Sequence, residues 1–190
     1  MATIDKYIPV VLRWEASTIV KSGESLEQAF IRAKKSGFSN DPSDPGGATM
    51  VGITLSTYKT YCKRNGMRTP NVTDLKNISY KVWRDVLHTM YWNKWKADTI
   101  IDQKIANMLV DWVWMSGAGV GIKRPQKILN VTQDGIVGPK TIYAVNNSKD
   151  LLKQLYEARK QHFEGIVKSR PASKKFLKGW MNRLNFLYND

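Results

Sequence analysis

Apolar residues recur at helical spacing through almost the whole of this chain, and that regularity excludes most sheet-built folds. Ile8, Val11, Leu12 and Glu15 share roughly one face of "DKYIPVVLRWE", with Pro9 tolerable only near a first turn. "SLEQAFIRAKKS" repeats the pattern through Leu26, Phe30 and Ile31, after Ser25 as a cap. Thr54 is a plausible N-cap for "LSTYKTYCKR", which stops at Gly66, and a further helix starts near Ser79. "DQKIANMLVDWVWMSG" is apolar almost all round, the mark of a helix buried at a domain centre. Two short helical pieces follow around "TQDGIVGP", then amphipathic helices over about 151–169 and 172–188. Convincing alternating strands are nearly absent. The class is mainly α.

The glycines of "SGAGVG" interrupt the buried helix and mark a division into residues 1–116 and 117–190. The interruption is too short for a free linker, so two packed subdomains are expected. At 190 residues with 42% hydrophobic content the chain can build a core, which excludes disorder as the default. Cys62 is the single cysteine, so no intrachain disulfide staples the fold. The N-terminal "MATIDKYIPVVLRWE" has charges around only a short apolar run, unlike a secretory signal. No apolar stretch approaches membrane-spanning length. Synthesis in the cytoplasm is expected, with any action outside needing another route of export.

Lys and Arg number 30 against 16 Asp and Glu, a formal net charge of +14. A polyanion is the matching partner: nucleic acid, an anionic membrane, or a bacterial wall with its anionic polymers. The basic residues run from Lys6 to Arg183 without clustering, and no nucleic-acid-binding element is visible, so specific nucleic-acid recognition is not expected. His88 and His162 lack acidic or cysteine neighbours at ligand spacing, so neither a metal nor a cofactor is expected.

One stretch breaks the helical rule. "GFSNDPSDPGGATMVGIT", residues 37–54, holds two prolines, four glycines and the carboxylates Asp41 and Asp44. Such a loop either connects helices passively or holds reactive groups still. Sugar cleavage needs one carboxyl that protonates the leaving oxygen and a second carboxylate, or a placed water, that meets the developing oxocarbenium ion. Glu15 fits the acid by position, closing an apolar helix directly after Trp14, although a surface glutamate at a helix end would look the same. Asp41 and Asp44 have turn formation as the plainer role. Thr49 and Thr54 can bind water or cap the next helix, and for Thr54 the cap is favoured.

"NDPSDPGGATMVGIT" resembles the signature of glycoside hydrolase family 108, lysozyme-like N-acetylmuramidases once described as secretion activators. In that family an apolar helix ends in Glu-Gly-Gly-aromatic and leads straight into the loop, and the glutamate is the catalytic acid. Tyr91-Trp92, "ADTI", "VDWVWMSG", "DGIVGPKT" and "FLKGWMNRLNFL" also resemble it, the last two its C-terminal peptidoglycan-binding region. The resemblance covers nearly the whole chain and implies a lysozyme-like helical fold with a small helical peptidoglycan-binding-like subdomain.

The sequence departs from the pattern at the acid. Aligned without gaps backwards from the loop, the catalytic position falls on Lys35, which describes a dead enzyme. Aligned from the N-terminus, "YIPVVLRWE" supplies the family helix with Glu15 as the acid, and residues 16–35 are an insertion of 20 residues. The second register is preferred, because closure entropy grows slowly with loop length. It demands that Glu15 and the Asp44 loop face one cleft.

The resemblance then implies Glu15 as proton donor, Asp44 as second carboxylate, Thr49 as holder of the attacking water and Asp41 as a brace of the turn. Tyr91, Trp92, Trp112 and Trp114 become candidates to line a sugar cleft, with core packing as the alternative for the tryptophans. The implied partner is peptidoglycan, cut between N-acetylmuramic acid and N-acetylglucosamine by a monomeric enzyme, for instance a prophage endolysin let out by a holin-like protein. The other reading is a non-catalytic wall-binding or secretion accessory protein in which Lys35 marks the lost acid.

Overall fold

The computed structural model describes residues 1–40 and 47–189. The chain packs as two compact units: Ile4–Asn93, and Lys94–Asp190 joined by Met1–Thr3. Helices dominate both, as the apolar spacing requires.

The first unit begins with α1 (Ile8–Ala16), where Pro9 sits in the first turn and costs no internal hydrogen bond. Ile8, Val10, Val11 and Leu12 are buried, and the helix stops because Ser17 turns left-handed at φ 50°. α2 (Leu26–Ala33) opens on a capping box: Ser25 accepts from the Gln28 amide while Gln28 accepts from the Ser25 amide. It buries Ala29, Phe30 and Ala33, whereas Ile31, expected on the apolar face, is 56% exposed. The Phe30 ring lies 4.8 Å from that of Trp83 on α5 (Tyr80–Met90).

Between α2 and α3 (Leu55–Arg64) lies a small antiparallel sheet of β1 (Phe38–Ser39), β2 (Thr49–Met50) and β3 (Ile53–Thr54). Phe38 pairs with Met50, and Thr49 with Thr54. Strands of two residues carry no readable alternation, so the spacing rules pass over them. Val51 and Gly52 make the β2–β3 turn, both at positive φ (43° and 76°). A β-branched residue rarely adopts that conformation. Val51 is held there because its N–H donates to the Gly37 carbonyl (2.7 Å), its carbonyl accepts from the Trp83 indole (3.1 Å), and its side chain is fully buried. Thr54 caps α3 through the Thr57 amide, Ser79 caps α5 through the Val82 amide, and α4 (Val72–Lys76) lies between them with its own capping box.

The second unit is built on α6 (Gln103–Ile128), which packs against α8 (Leu151–Ser169) and α9 (Lys174–Asn189); α7 (Pro139–Asn147) precedes them. At 26 residues α6 is long and apolar enough to cross a membrane by length and composition, contrary to the expectation that no stretch reaches that length. Gly117 (φ 74°, ψ 163°) breaks it into two rods, and half of its most apolar window is buried within the protein. It also carries Asp111, fully buried and bound by Arg159 (2.8 Å) and Arg183 (2.7 Å). A core helix of a packed unit accounts for all three observations. The division read between residues 116 and 117 falls inside this helix, at its break.

After the break the second rod returns onto the first. A Cβ on Gly121 would stand 2.5 Å from the Val113 nitrogen and 2.6 Å from its Cα, and the Gly121 carbonyl accepts from the Trp95 indole at 3.2 Å. These neighbours are backbone and cannot swing away. Gly121→Ala is therefore expected to destabilise the protein by about 3 kcal/mol, at the upper end of overpacking costs, read as a lowered urea midpoint. Gly119→Ala, with open space around the added methyl, is the matched control.

Candidate functional site

Glu15 lies in the last turn of α1, half-buried, two residues before the chain turns at Ser17. From Ser17 the chain makes an excursion that closes on itself. The Ser36 hydroxyl donates to the Ala16 carbonyl at 3.2 Å, and a Cβ on Gly37 would meet the Ala16 Cβ at 3.2 Å. The chain thus leaves at Ala16, makes the Ser25-capped α2, and returns beside Ala16 before entering β1. Gly37 is required at the return, because a side chain there would also strike the Val51 side chain at 2.8 Å and the Ala33 carbonyl at 2.9 Å. Lys35 stands exposed at the end of the excursion.

Tyr91 caps the far end of α5. Its hydroxyl lies 3.3 Å from the Thr57 hydroxyl. Burial pushes the phenol above its ordinary pKa; the Thr57 contact opposes this, and the negative charge of Glu15 adds to it. Tyr91 is therefore a neutral hydrogen-bonding group that feels the Glu15 carboxylate. Thr57 in turn lies 3.1 Å from the Thr54 hydroxyl, and Thr54 is the cross-strand partner of Thr49. The Thr49 hydroxyl is half-buried and donates to the Gly47 carbonyl at 3.4 Å, a long bond. A run of hydroxyls from Tyr91 through Thr57 and Thr54 leads from the Glu15 end of α1 to the sheet from which the Pro/Gly loop departs. Asp41 and Asp44 lie outside the described residues.

The tryptophans separate. Trp92 is fully buried, its ring 6.2 Å from Tyr7, and Trp112 is fully buried with the Arg159 guanidinium 5.8 Å over its ring. Neither presents a face to a sugar, so both are core residues; an apolar helical stripe is built to be covered. Trp114 is half-buried. Sequence reasoning passed over Thr57, whose signal was its place three residues after the Thr54 cap, where a hydroxyl can join the capping group. It also passed over Gly37 as the point of return. Burial pushes the Cys62 thiol up, the wrong direction for a nucleophile. No group of three or more potential metal-binding side chains occurs among the described residues.

The family pattern described as glycosyl hydrolase 108 matches residues 28–117, and the one described as a predicted peptidoglycan domain matches residues 120–185. The first match takes in Lys35 and the Asp41–Asp44 loop and begins after Glu15. No curated protein matches. Among solved structures, SagA of Brucella abortus is similar over 84% of this chain and 91% of SagA, with 29% identity and a TM-score of 0.66. The helical architecture is the lysozyme-like one the family implies. Two family patterns in this order, over a helical structure shared with SagA, identify a glycosyl hydrolase 108 domain followed by a predicted peptidoglycan domain.

Proposed function

We propose that this protein is an N-acetylmuramidase that cuts the β-1,4 bond between N-acetylmuramic acid and N-acetylglucosamine, with Glu15 as the proton donor. The supporting observation is the closure of the excursion at Ala16 and Gly37. Removing residues 16–35 in thought leaves an apolar helix ending in Glu15 that runs through Ser36 into the Gly-aromatic pair Gly37-Phe38 and the loop. The insertion spans about 16–35 on this reading. Asp44 then supplies the second carboxylate, Thr49 places water, Asp41 braces the turn, and Tyr91 hydrogen-bonds near the acid. Trp114 is left as the tryptophan able to meet the glycan.

The net charge of +14 suits approach to an anionic wall, an attraction that salt weakens. Work on the wall requires passage out of the cytoplasm, through lysis or a holin-like partner, and a monomer suffices for the chemistry. The second reading, a wall-binding or secretion accessory without hydrolysis, is favoured by one observation: the family match starts at Gln28 and so includes Lys35 at the acid's place. Release of reducing ends from purified peptidoglycan separates the two. Release that disappears in Glu15→Gln supports the enzyme. Sedimentation with the wall and no release, at every pH between about 4 and 8, supports the accessory protein.

A further inference from the structure

The apolar stripe of α9 outruns the core. Leu184 and Leu187 are buried, Trp180 one turn before Leu184 is half-buried, and Phe176 one turn earlier again is 51% exposed. Their rings form a ladder from inside to outside. Buried Phe163 of α8 lies 5.3 Å from Trp180, and Trp180 stacks on Phe176 at 5.9 Å. A single 3-10 turn, Pro171–Ser173, joins α8 to α9, so the last turn of α8 and the first of α9 share one corner. A lone exposed phenylalanine is ordinary. This one ends an aromatic ladder.

The charges at the corner have one sign. Between Glu164 and Asp190 the chain has no acid, and Lys168, Arg170, Lys174, Lys175 and Lys178 are all exposed there. None of the five has an ion-pair partner among the described residues. Two of them also work against their own helix. Lys174 and Lys175 stand in the first turn of α9, where a cation opposes the helix dipole and an acid would favour it. They cost α9 stability, and no ion pair offsets that cost. The Lys175 Nζ lies 5.0 Å over the Phe176 ring, so an ammonium group and an exposed ring are presented together.

Charge selects an anion, and the ring selects its form. A wall polymer or a nucleic-acid duplex would meet the lysines and leave the ring in water. An anionic bilayer answers both: headgroups meet the ammonium groups, and the boundary between headgroups and acyl chains takes the aromatic side chains. We propose that the corner between α8 and α9 docks on an anionic lipid surface, with Phe176 and Trp180 at the acyl boundary and the five basic residues among the headgroups. Docking of this kind needs no glycan chemistry, so it stands whether the protein is a hydrolase or an accessory.

Sedimentation of the full-length protein with lipid vesicles tests this. Vesicles of equimolar phosphatidylglycerol and phosphatidylcholine should bind it at least about a hundredfold more tightly than phosphatidylcholine alone, since each basic residue near an anionic surface contributes about fivefold. Lys174→Glu combined with Lys175→Glu should weaken binding by about twenty-fivefold or more. The same change should leave the melting temperature equal or higher, because it puts acids in a first turn. A loss of binding in a more stable protein is not what a structural role for these lysines produces. Phe176→Ser should weaken binding about tenfold and leave folding intact, because half of the ring is already outside. Lys59→Glu combined with Lys63→Glu, on exposed positions of α3, makes the same change in net charge and should weaken binding about twofold at most.

Four outcomes overturn the proposal. The first is no preference for the anionic vesicles. The second is an equal loss in both charge-reversal variants, which makes net charge the cause. The third is unchanged binding in Phe176→Ser. The fourth is tighter binding of a single-stranded oligonucleotide through the same residues, which makes the corner a nucleic-acid site.

Discussion

Glu15→Gln is expected to lower the rate of reducing-end release from peptidoglycan by about 10²- to 10⁴-fold, the usual contribution of a positioned general acid. Glutamine keeps the size and hydrogen-bonding reach of the side chain and removes only the transferable proton, so wall co-sedimentation and the melting temperature should stay as in the native protein. Lys35→Ala should leave the rate unchanged, because on the proposed register that position lies in the inserted segment. A fall in rate in Lys35→Ala together with full activity in Glu15→Gln would overturn the assignment of the acid. Asp44→Asn provides the second arm: a loss comparable to that of Glu15→Gln puts the second carboxylate in the loop.

The largest stability effect is expected at Asp111. One buried carboxylate holds two buried guanidinium groups, Arg159 and Arg183, on α8 and α9 respectively. Asp111→Ala removes the shared anion and leaves two cations in the core, a loss of about 3–5 kcal/mol. That is a large part of the ~5–15 kcal/mol that separates a folded domain from its unfolded chain. Replacing all three residues together with apolar ones of similar size should cost far less, since no charge is then left behind. Urea unfolding of the single and triple variants measures both; equal losses would show that packing, not charge, sets the cost.

Acid should act on the same group. Burial alone would raise the Asp111 carboxyl, but Arg183 and then Arg159 outweigh it and hold it below its ordinary value. A carboxyl lowered in the folded state contributes stability that is fully present above its unfolded pKa of about 3.9 and is lost as pH falls through the folded value beneath. The native protein should therefore lose stability below about pH 4, and the triple variant should lose less of it there.

Local signals carried the reading of the helices. Ser25 and Thr54 each cap the helix expected of them, the helix expected from near Ser79 starts at Tyr80, and the run over 151–169 is α8 to the residue. Caps and 3.6-residue spacing act within a few positions, so they are visible in a single sequence. The three-stranded sheet was not visible, because two-residue strands are chosen by their partners rather than by their own pattern. Trp92 and Trp112 as sugar-binding candidates illustrate the same limit: aromatic residues state their size but not which side of a helix a later element will cover. Of the candidate site, Glu15 was marked by the abrupt end of an apolar helix. The proposed register rests on the meeting of Ala16 and Gly37, far apart in the chain, and no spacing rule encodes that contact.

The closed excursion has a practical consequence. Its tip, Lys21 to Gly23, is exposed, and Gly23 there adopts φ 74° in open space. The proposed acid lies on one side of that tip, and the loop, Thr49 and Tyr91 all lie on the other. Chain continuity through the tip is not what holds α1 against the returning chain; packing of α1 against α2 and the Ser36–Ala16 bond do that. Residues 1–22 and 23–190, made as separate polypeptides, should reassociate into a working whole, so that the short fragment acts as an on-switch for lysis supplied from outside.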